Sequence, residues 1–278
     1  MVSLKFSVSM CVYGGDDPGH FDAAVHSVVQ QTVVPNEIVV AVDGPIPLSI
    51  ENIIEKYRNL LIKSDIQFHV VYLEKNMGHG EARRTSFDHC SNEIIALMDA
   101  DDLSVPDRFE KQLAVFAKEP NLSIVGGNIQ EFIGMPENRV GKRVVPGTDA
   151  EIKEYMRKRC PMNQVTVMFR KQDVEEVGGY LDWFCDEDYY LWIRLALADK
   201  HFANVPENLV SVRVGEDMYQ RRGGWKYFKS EAKLQGFMLQ KKMINLPRFF
   251  INVAERLVVQ VLMPNRMRRF FFQKFARS

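Results

Sequence analysis

Four carboxylates crowd one short stretch of the chain, "ALMDADDLSVPDRF" at residues 96–109. They are Asp99, Asp101, Asp102 and Asp107, and an apolar run leads directly into the first of them. Like charges held this close cost free energy unless a cation or a donor-rich partner lies among them. Mg²⁺ and Mn²⁺ prefer oxygen ligands and often bind one or two carboxylates together with substrate phosphates. A D-x-D pair after a buried strand therefore favours a metal-diphosphate site over a solvated turn.

A second acidic group opens a predicted helix in "CDEDYYLWIRL", residues 185–195. We expect Asp186 to cap this helix, which leaves Glu187 and Asp188 in its first turn, where the helix dipole favours ionised carboxylates. Acids are common in first turns, so from these residues alone a structural role is the better interpretation. The functional alternative is that Asp188 is an ionised general base that faces the metal site.

Glycine or polar residues follow each of the first four predicted strands. In an open parallel sheet, ligands bind at the carboxyl ends of the strands. Any one of these segments could be turn chemistry, because Asp-Gly and Asn-x-Gly are common in turns. Four of them on one edge favour a ligand site. The segments are Tyr13-Gly14-Gly15, Asp43-Gly44, Asn76-Met77-Gly78 and Asp99-Ala100-Asp101.

The elements that would position these groups alternate between strand and helix over the first 130 residues. Such alternation predicts βαβ units and a mostly parallel α/β sheet with helices on both faces. We expect Asp17 to cap the first helix ahead of Pro18, and Asp107 to pair with a helix dipole or with Arg108. The predicted strands are 5–13, 37–43, 66–74, 93–99 and 122–127, with helices at 18–31, about 48–63, 79–90 and 106–118.

After residue 130 the pattern is mixed. It predicts a strand at 163–171, a helix at about 187–199, a strand pair in "ANVPENLVSVRVG", and helices from about Trp225 onward. Residues 248–278 carry many Arg and Phe residues and one acid, Glu255. Two interpretations stay open: a helix lying at an anionic membrane surface, or a closing helix whose Phe side chains pack on the domain.

Composition sets the protein class. Of 278 residues, 46% are hydrophobic and 26% charged, and the formal net charge is zero, which is typical of a soluble globular protein without overall attraction to nucleic acid. Four separated cysteines without C-x-x-C spacing predict reduced, mostly buried thiols in a cytosolic protein. We expect neither a signal peptide nor a membrane-spanning helix, which needs about 18 or more consecutive apolar residues.

The chain resembles a family 2 glycosyltransferase over most of its length, and the resemblance thins after about residue 245. It rests on the segments "FSVSMCVYGG", "HSVVQQTVVPNEIVVAVDG", "NMGHGEARR", "MDADDLSVPDRFEKQ" and "EDYYLWIRL". A narrower resemblance, to the bacterial branch that includes amylovoran and other exopolysaccharide glycosyltransferases, rests on "KRVVP", "RCPMNQVTVMFRK", "VGGY" and "MYQRRGGWKYFKSE".

The resemblance implies a GT-A fold, which is Rossmann-like, and transfer from a nucleoside-diphosphate sugar with inversion, assisted by a divalent cation, Mg or Mn. It implies a GT-A domain over 1–224, with a nucleotide-sugar half at about 1–130 and an acceptor and catalytic half at about 131–224. A helical C-terminal extension would cover 225–278.

Specific roles follow from the resemblance, position by position. Asp101 would be the main metal ligand, Asp188 the catalytic base, and Glu187 a residue that helps to place the sugar or acceptor. Asp99 would face the ribose or the metal. The other expected nucleotide-sugar contacts are Val12, Tyr13, Asp43, Gly78 and Arg83, and Trp192 is expected near the diphosphate or acceptor.

Two positions depart from the family pattern. The family's A-R-N ends here in Arg84, and Val214-Gly215 follows Arg213 where many relatives carry a histidine. We hypothesise that Arg221 and Arg222 supply the missing positive charge to the diphosphate.

The resemblance also implies partners and a location. We expect a UDP-sugar donor and a saccharide or polyprenyl-linked acceptor, for a surface polysaccharide such as an exopolysaccharide or capsule. The chain would be cytoplasmic, with peripheral membrane contact through its C-terminus and no nucleic acid. Three alternatives stay open: an inactive nucleotide-sugar-binding or membrane-docking protein; a phosphatase with an aspartyl nucleophile, whose D-x-D would follow an early strand and not the fourth; and a nucleotidyltransferase. The last of these should carry a basic Gly-rich loop after its first strand, whereas "YGGDDPGH" has no basic residue besides His20.

Overall fold

One sheet of nine strands runs through the centre of the molecule. The computed structural model describes residues 4–215 and 223–263. The strands are β1 (Phe6–Tyr13), β2 (Glu37–Asp43), β3 (Gln67–Tyr72), β4 (Ile94–Met98), β5 (Leu103–Ser104), β6 (Leu122–Phe132), β7 (Arg139–Arg143), β8 (Met168–Arg170) and β9 (His201–Arg213). Their order in the sheet is β3-β2-β1-β4-β8-β6-β9-β5, and β7 pairs with β6.

The sheet is mostly parallel, as the alternation of strands and helices predicts. β1 pairs in parallel with β2 and β4, β2 with β3, and β6 with β9. β8 is antiparallel to both β4 and β6, so β6 and β9 run in the same direction as the first four strands. The short strands β5 and β7 are antiparallel to their neighbours.

Helices cover both faces of the sheet. Asp17 caps the first of them as expected, because its Oδ1 accepts the His20 N–H at 2.9 Å. Of the two roles expected for Asp107, the structure has it at the N-terminal end of the helix that starts at Arg108, beside the dipole; its ion pair is with Lys111 and not with Arg108, which is buried and donates to the Leu97 carbonyl. The helices are α1 (Pro18–Val29), α2 (Leu48–Leu61), α3 (His79–His89), α4 (Arg108–Lys118), α5 (Asp149–Met156), α6 (Lys171–Glu176), α7 (Glu187–Leu197), α8 (Trp225–Gln240) and α9 (Leu246–Leu257).

Two apolar clusters form the core, one on each face of the sheet. Because successive strand residues point to opposite faces, Ile94, Ala96 and Met98 of β4 join one cluster while Ile95 and Leu97 join the other. The first cluster includes side chains of α1, α2 and α4, and the second includes side chains of α3, α5, α7 and α8. Strands covered on both faces have apolar residues throughout, which is why the predicted strands read as continuous apolar runs.

Two predictions after residue 130 are wrong. The segment read as a strand pair is the single strand β9, in which Pro206 and Glu207 form a bulge between the pairs Gly127–Val205 and Asn128–Asn208. Proline cannot donate a ladder hydrogen bond, so it lies at a bulge, and the Asn128 side chain bonds its carbonyl. The strand predicted at 163–171 is a 3₁₀ turn at Gln164–Thr166 followed by the short β8.

The cysteines also differ in part from expectation. Cys11, Cys90 and Cys160 are free thiols, as predicted. However, Cys90 is buried, Cys11 and Cys160 are intermediate, and Cys185 is exposed, so "mostly buried" is wrong. Within 4–215 and 223–263, no helix has the length and apolar character needed to cross a membrane.

Candidate active site

The carboxyl ends of β1 and β2 meet at one edge of the sheet, where Tyr13 lies opposite Asp43. Asp43 ties this edge to the loop after β3: its Oδ1 accepts the Met77 N–H at 2.6 Å and its Oδ2 accepts the Gly78 N–H at 3.0 Å. Gly44 allows the approach, since its φ is +81° and a Cβ there would lie 2.5 Å from the Asn76 nitrogen. Three of the four predicted strand-end segments thus lie side by side.

A chain of contacts joins the fourth strand end to the acids of α7. The Arg83 Nη2 donates to Asp99 Oδ1 at 2.8 Å and lies 2.8 Å from His79 Nε2. On the other side of its ring, His79 Nδ1 is 3.6 Å from Glu187 Oε1. Because the guanidinium only donates, His79 Nε2 accepts and the ring proton on Nδ1 faces Glu187. Helix α3 therefore bridges the D-x-D edge and the N-terminus of α7.

Three other carboxylates enlarge the negative charge at Asp99. Burial raises the pKa of Asp101 above its usual range, and the charge of Asp99 raises it further. Asp16 accepts the Tyr13 N–H at 2.9 Å, and burial, followed by the charges of Asp101 and Asp99, raises its pKa to about 6. Asp102 is buried and accepts the backbone N–H of Arg213 at 2.7 Å; burial and the two neighbouring acids raise its pKa well above the usual range.

Carboxylate oxygens of this kind are ligands that a divalent cation prefers, so these acids are candidates to bind one together with other ligands. In the part of the chain that the structure describes, no group of three or more His, Cys, Asp or Glu side chains is arranged to hold an ion alone. Burial, and after it repulsion from neighbouring carboxylates, raises the pKa of Asp101 and Asp16, and a cation would relieve that repulsion. Mg²⁺ in particular is commonly bound by one or two carboxylates plus phosphate oxygens.

Asp188 lies in the first turn of α7 and is partly buried. Burial, and then the charge of Glu187, raises its pKa to about 6, while the Tyr189 N–H, Arg83 and Arg143 lower it. Burial alone would raise the pKa of Glu187 as well, but His79 and Arg83 bring it below its usual value. Both acids are thus mostly ionised at neutral pH, and Asp188 is the one able to take up a proton near pH 6.

Asp186 does not cap α7, contrary to the prediction, because its side chain makes no capping hydrogen bond. The side chain is buried, and its Oδ2 has no hydrogen-bond partner among the described residues. Burial, together with the charges of Glu231 and Asp188, raises the pKa of Asp186 to about 9. Asp186 is therefore protonated at neutral pH, directly before the ionised pair Glu187 and Asp188.

Helix α8 holds the loop that leads into this pair. The Ser230 hydroxyl donates to the Phe184 carbonyl at 2.6 Å, and the Trp183 Nε1–H donates to the Ser230 carbonyl at 3.3 Å. Lys226 lies over the Phe184 ring, 3.9 Å from its centroid. The position of the acids of α7 thus depends on contacts with the C-terminal helices.

The remaining predicted residues fall into three groups. Tyr13 is 46% exposed at the site edge, whereas the Val12 side chain is buried in the core, leaving its backbone for any contact. Trp192 is fully buried in the second core cluster, so we no longer assign it to the diphosphate or acceptor; it packs α7 against the sheet. Arg221 and Arg222 lie outside the described residues.

Two site residues were missed in the sequence. Asp16 lies in the turn after β1, the same edge as the D-x-D acids, and its position after Tyr13-Gly14-Gly15 was the available signal. His79 precedes Arg83 by four residues on α3, a spacing that places both side chains on one helix face. Neither pattern indicates what Asp16 or His79 lies beside, because their neighbours Asp99 and Glu187 come from distant parts of the chain.

A mostly parallel sheet whose edge carries a D-x-D pair, joined through α3 to an acid pair on a helix, is the arrangement of a GT-A glycosyltransferase. The chain belongs to glycosyl transferase family 2, whose family model matches residues 7–177. It is 33% identical over 269 residues to an amylovoran biosynthesis glycosyltransferase, AmsE, of Erwinia amylovora, covering 97% of this chain and 98% of that one. It is 31% identical over 273 residues to the UDP-Gal:alpha-D-GlcNAc-diphosphoundecaprenol beta-1,3-galactosyltransferase of Escherichia coli, covering 98% and 97%.

Solved structures share the fold. TarS 1-349 of S. aureus in complex with UDP-GlcNAc superposes with a TM-score of 0.66 at 18% identity, covering 92% of this chain and 73% of that one. The mannosyltransferase PcManGT of Pyrobaculum calidifontis, in complex with GDP-Man and Mn²⁺, gives a TM-score of 0.64 at 14% identity, covering 94% and 71%. The predicted family and GT-A fold are confirmed, and the chain is a glycosyltransferase, not a nucleotidyltransferase.

Proposed function

We propose that this glycosyltransferase transfers a sugar from a UDP-sugar to a saccharide carried on a polyprenyl diphosphate, with inversion, during surface polysaccharide biosynthesis. Two relatives support this substrate class. The galactosyltransferase of Escherichia coli is named for a UDP-Gal donor and a diphosphoundecaprenol-linked acceptor, and AmsE is named for amylovoran biosynthesis. The TarS structure contains UDP-GlcNAc.

The observation that carries the proposal is the contact chain from Asp99 through Arg83 and His79 to Glu187, with Asp188 next in sequence. It supports a site in which the nucleotide lies at the strand ends and the acceptor hydroxyl faces α7. Asp188 accepts the proton of that hydroxyl while the oxygen attacks the sugar carbon opposite the departing diphosphate. One base is enough for this direct displacement, so no nucleophilic side chain is needed.

Asp101, with Asp99, would hold the divalent cation, Mg²⁺ or Mn²⁺, and the newly found Asp16 would add a third carboxylate nearby. When bound, the cation supplies positive charge that offsets the charge of the departing diphosphate. We also propose that Arg221 and Arg222 contact the diphosphate.

The nucleotide side of the proposed site is built from the ends of β1 and β2 and from α3. The Val12–Tyr13 segment, Asp43 and Gly78 would hold the nucleobase and ribose, and Arg83 would lie beside the nucleotide. Asp43 already bonds the Met77 and Gly78 amides, so its first effect is to fix the shape of this loop.

The substitution Asp188→Asn tests the proposal. We expect kcat for transfer to fall by about 10²-fold or more, because the amide cannot take up the proton, while UDP binding with Mn²⁺ changes little. Released UDP and glycosylated lipid-linked acceptor would be measured with a panel of UDP-sugars. The exposed Asp182, changed to Asn, is the matched control.

Each outcome is decisive. If Asp188→Asn loses UDP binding, Asp188 has a structural role. If its kcat is unchanged, another residue is the catalytic base. A wild-type chain that binds UDP-sugars but transfers to none of the acceptors would support the alternative of an inactive nucleotide-sugar-binding protein.

We further propose that the enzyme is cytoplasmic and acts peripherally at the inner face of the plasma membrane, where its lipid-linked acceptor would be held.

A further inference from the structure

Helix α9 and the π-helical turn after it, Val258–Leu262, expose large apolar side chains. Leu246, Phe250, Val258 and Leu262 follow one another at multiples of four residues, and Ile251 lies beside Phe250. Their exposed fractions run from 48% for Ile251 to 66% for Leu262. Residues four apart are neighbours on a helix surface, so Leu246 adjoins Phe250 and Val258 adjoins Leu262; these five exposed side chains are here called the outer strip.

The opposite face of α9 is fastened to the rest of the molecule. Asn252 is buried, and its Nδ2 donates to the Arg157 carbonyl at 2.8 Å and to Gln235 Oε1 at 2.7 Å. Arg256, one turn later, forms a buried ion pair with Glu231 and donates to the Lys158 carbonyl at 3.1 Å. These bonds fix the rotation of α9, so the outer strip faces away from the domain.

The charge around the outer strip indicates what could cover it. In the described residues from 241 to 263, four residues are Lys or Arg and one is an acid, Glu255; Arg256 is paired with Glu231 on the opposite face. Among them, Lys241 and Lys242 are exposed just before α9, and Arg248 lies within it. A second copy of this chain would bring the same positive charge against itself, which is unfavourable. A surface of anionic lipid headgroups is complementary to both the apolar strip and its basic surroundings.

We propose that the outer strip docks this enzyme on an anionic lipid bilayer, with α9 lying in the plane of the interface. The role of this docking rests on the proposed function, because docking would bring a lipid-linked acceptor to the site. The inner face of α9 pairs through Arg256 with Glu231 on α8, and the neighbouring Ser230 holds the loop before Glu187 and Asp188. Docking would therefore also fix how the catalytic pair is oriented relative to the membrane.

Co-sedimentation of the full chain with vesicles tests the docking. The vesicles would be phosphatidylcholine alone or phosphatidylcholine mixed with phosphatidylglycerol. We expect binding only to the mixed vesicles, and weaker binding as salt screens the charges. The double variant Phe250→Ser/Ile251→Ser should bind about tenfold more weakly or worse, because two large apolar side chains no longer leave water. The control is Leu60→Ser/Ile62→Ser, which changes two equally exposed apolar residues at the end of α2 and should bind like the wild type.

Two results would overturn the docking surface: mixed-vesicle binding by the Phe250/Ile251 variant equal to that of the wild type, or a wild-type dimer in light scattering that this variant abolishes while neither binds vesicles. Thermal unfolding confirms that both double variants are folded. UDP release with a short-chain, water-soluble acceptor analogue separates docking from function. The Phe250/Ile251 variant should keep that activity, whereas a wild type that docks but never transfers would leave the docking intact and remove the proposed function.

Discussion

Arg83 and Asp99 form an ion pair at the centre of the site, with Nη2 of the arginine 2.8 Å from Oδ1 of the aspartate. The arginine side chain is 4% exposed and the aspartate side chain 33%. Asp101, two residues on, forms no ion pair with any residue that the structure describes, and burial and the charge of Asp99 disfavour its ionised form. The charge of Asp99 therefore stabilises the folded state, whereas the charge of Asp101 destabilises it.

Asp99→Asn and Asp101→Asn should accordingly have opposite effects on stability. We expect Asp99→Asn to lower the free energy of unfolding by about 2–3 kcal/mol, because it leaves the buried Arg83 without its carboxylate. Asp101→Asn should keep or slightly raise stability in metal-free buffer, because it removes a repelled charge, yet lose the rise in melting temperature given by UDP with Mn²⁺. Urea unfolding measures the free energy of unfolding of each variant, and thermal shift measures the rise in melting temperature with UDP and Mn²⁺. Equal destabilisation by the two variants would contradict this assignment.

The pH dependence of kcat should report Asp188. With a pKa of about 6, Asp188 loses its ability to accept a proton as the pH falls through 6, so kcat should fall there. Glu187→Gln removes a neighbouring negative charge that raises the pKa of Asp188, so the acid limb should move to lower pH, whatever the change in maximal kcat. Glu81→Gln, at a half-buried position paired with Arg84, should leave the limb in place. An unmoved limb in Glu187→Gln would assign the titration to another group.

Asp186 should make the folded state less stable as the pH rises. Its pKa is about 9 in the folded chain and near 4 in the unfolded chain, so between these values folding requires proton uptake. The free-energy cost of this proton uptake grows as the pH rises from about 4 to about 9, and Asp186→Asn should remove that cost. We expect this variant to gain about 1–3 kcal/mol at pH 8 and less at pH 5, as measured by urea unfolding at both values. A gain that is the same at pH 5 and pH 8 would mean that Asp186 is ionised in the folded chain.

Arg221→Ala and Arg222→Ala should each reduce kcat/KM for the donor by about tenfold or more, if these residues contact the departing diphosphate. Arg84→Ala removes a charge of the same type from an exposed position paired with Glu81 and serves as the control. Unchanged kinetics at both Arg221 and Arg222 would remove the hypothesis that they replace the family's histidine.

Local signals predicted the first half of the fold well. Continuous apolar strands, the Asp17 cap and the regular alternation with helices all depend on short-range rules, and the structure confirms them. The single β9 was missed because Pro206 looks like a turn in sequence, and only its pairing with β6 makes it a bulge. Pairing across the sheet depends on residues about 80 positions away, which no local pattern contains.

The site was predictable as a set of residue types but not as a set of contacts. Motifs indicated Asp99, Arg83 and Glu187, yet not the role of His79 between them. The side chain of Asp186 makes no capping hydrogen bond and is buried; burial, followed by the charge of Glu231 from α8, raises its pKa to about 9, and no local pattern indicates that α8 lies there. Trp192 was assigned to a ligand because aromatic residues serve both cores and binding sites, and only burial separates the two.

Because Ser230 of α8 hydrogen-bonds the Trp183–Phe184 loop, the order in which the chain is synthesised affects when the site can form. The ribosome releases β1 to β4, and with them most of the nucleotide side, long before it releases Ser230 and Arg256. Until Ser230 emerges, the turn in front of Glu187 lacks its hydrogen bonds to α8. A nascent chain could therefore fold around a nucleotide early, but it would become competent for transfer only after α8 has emerged and packed on this turn.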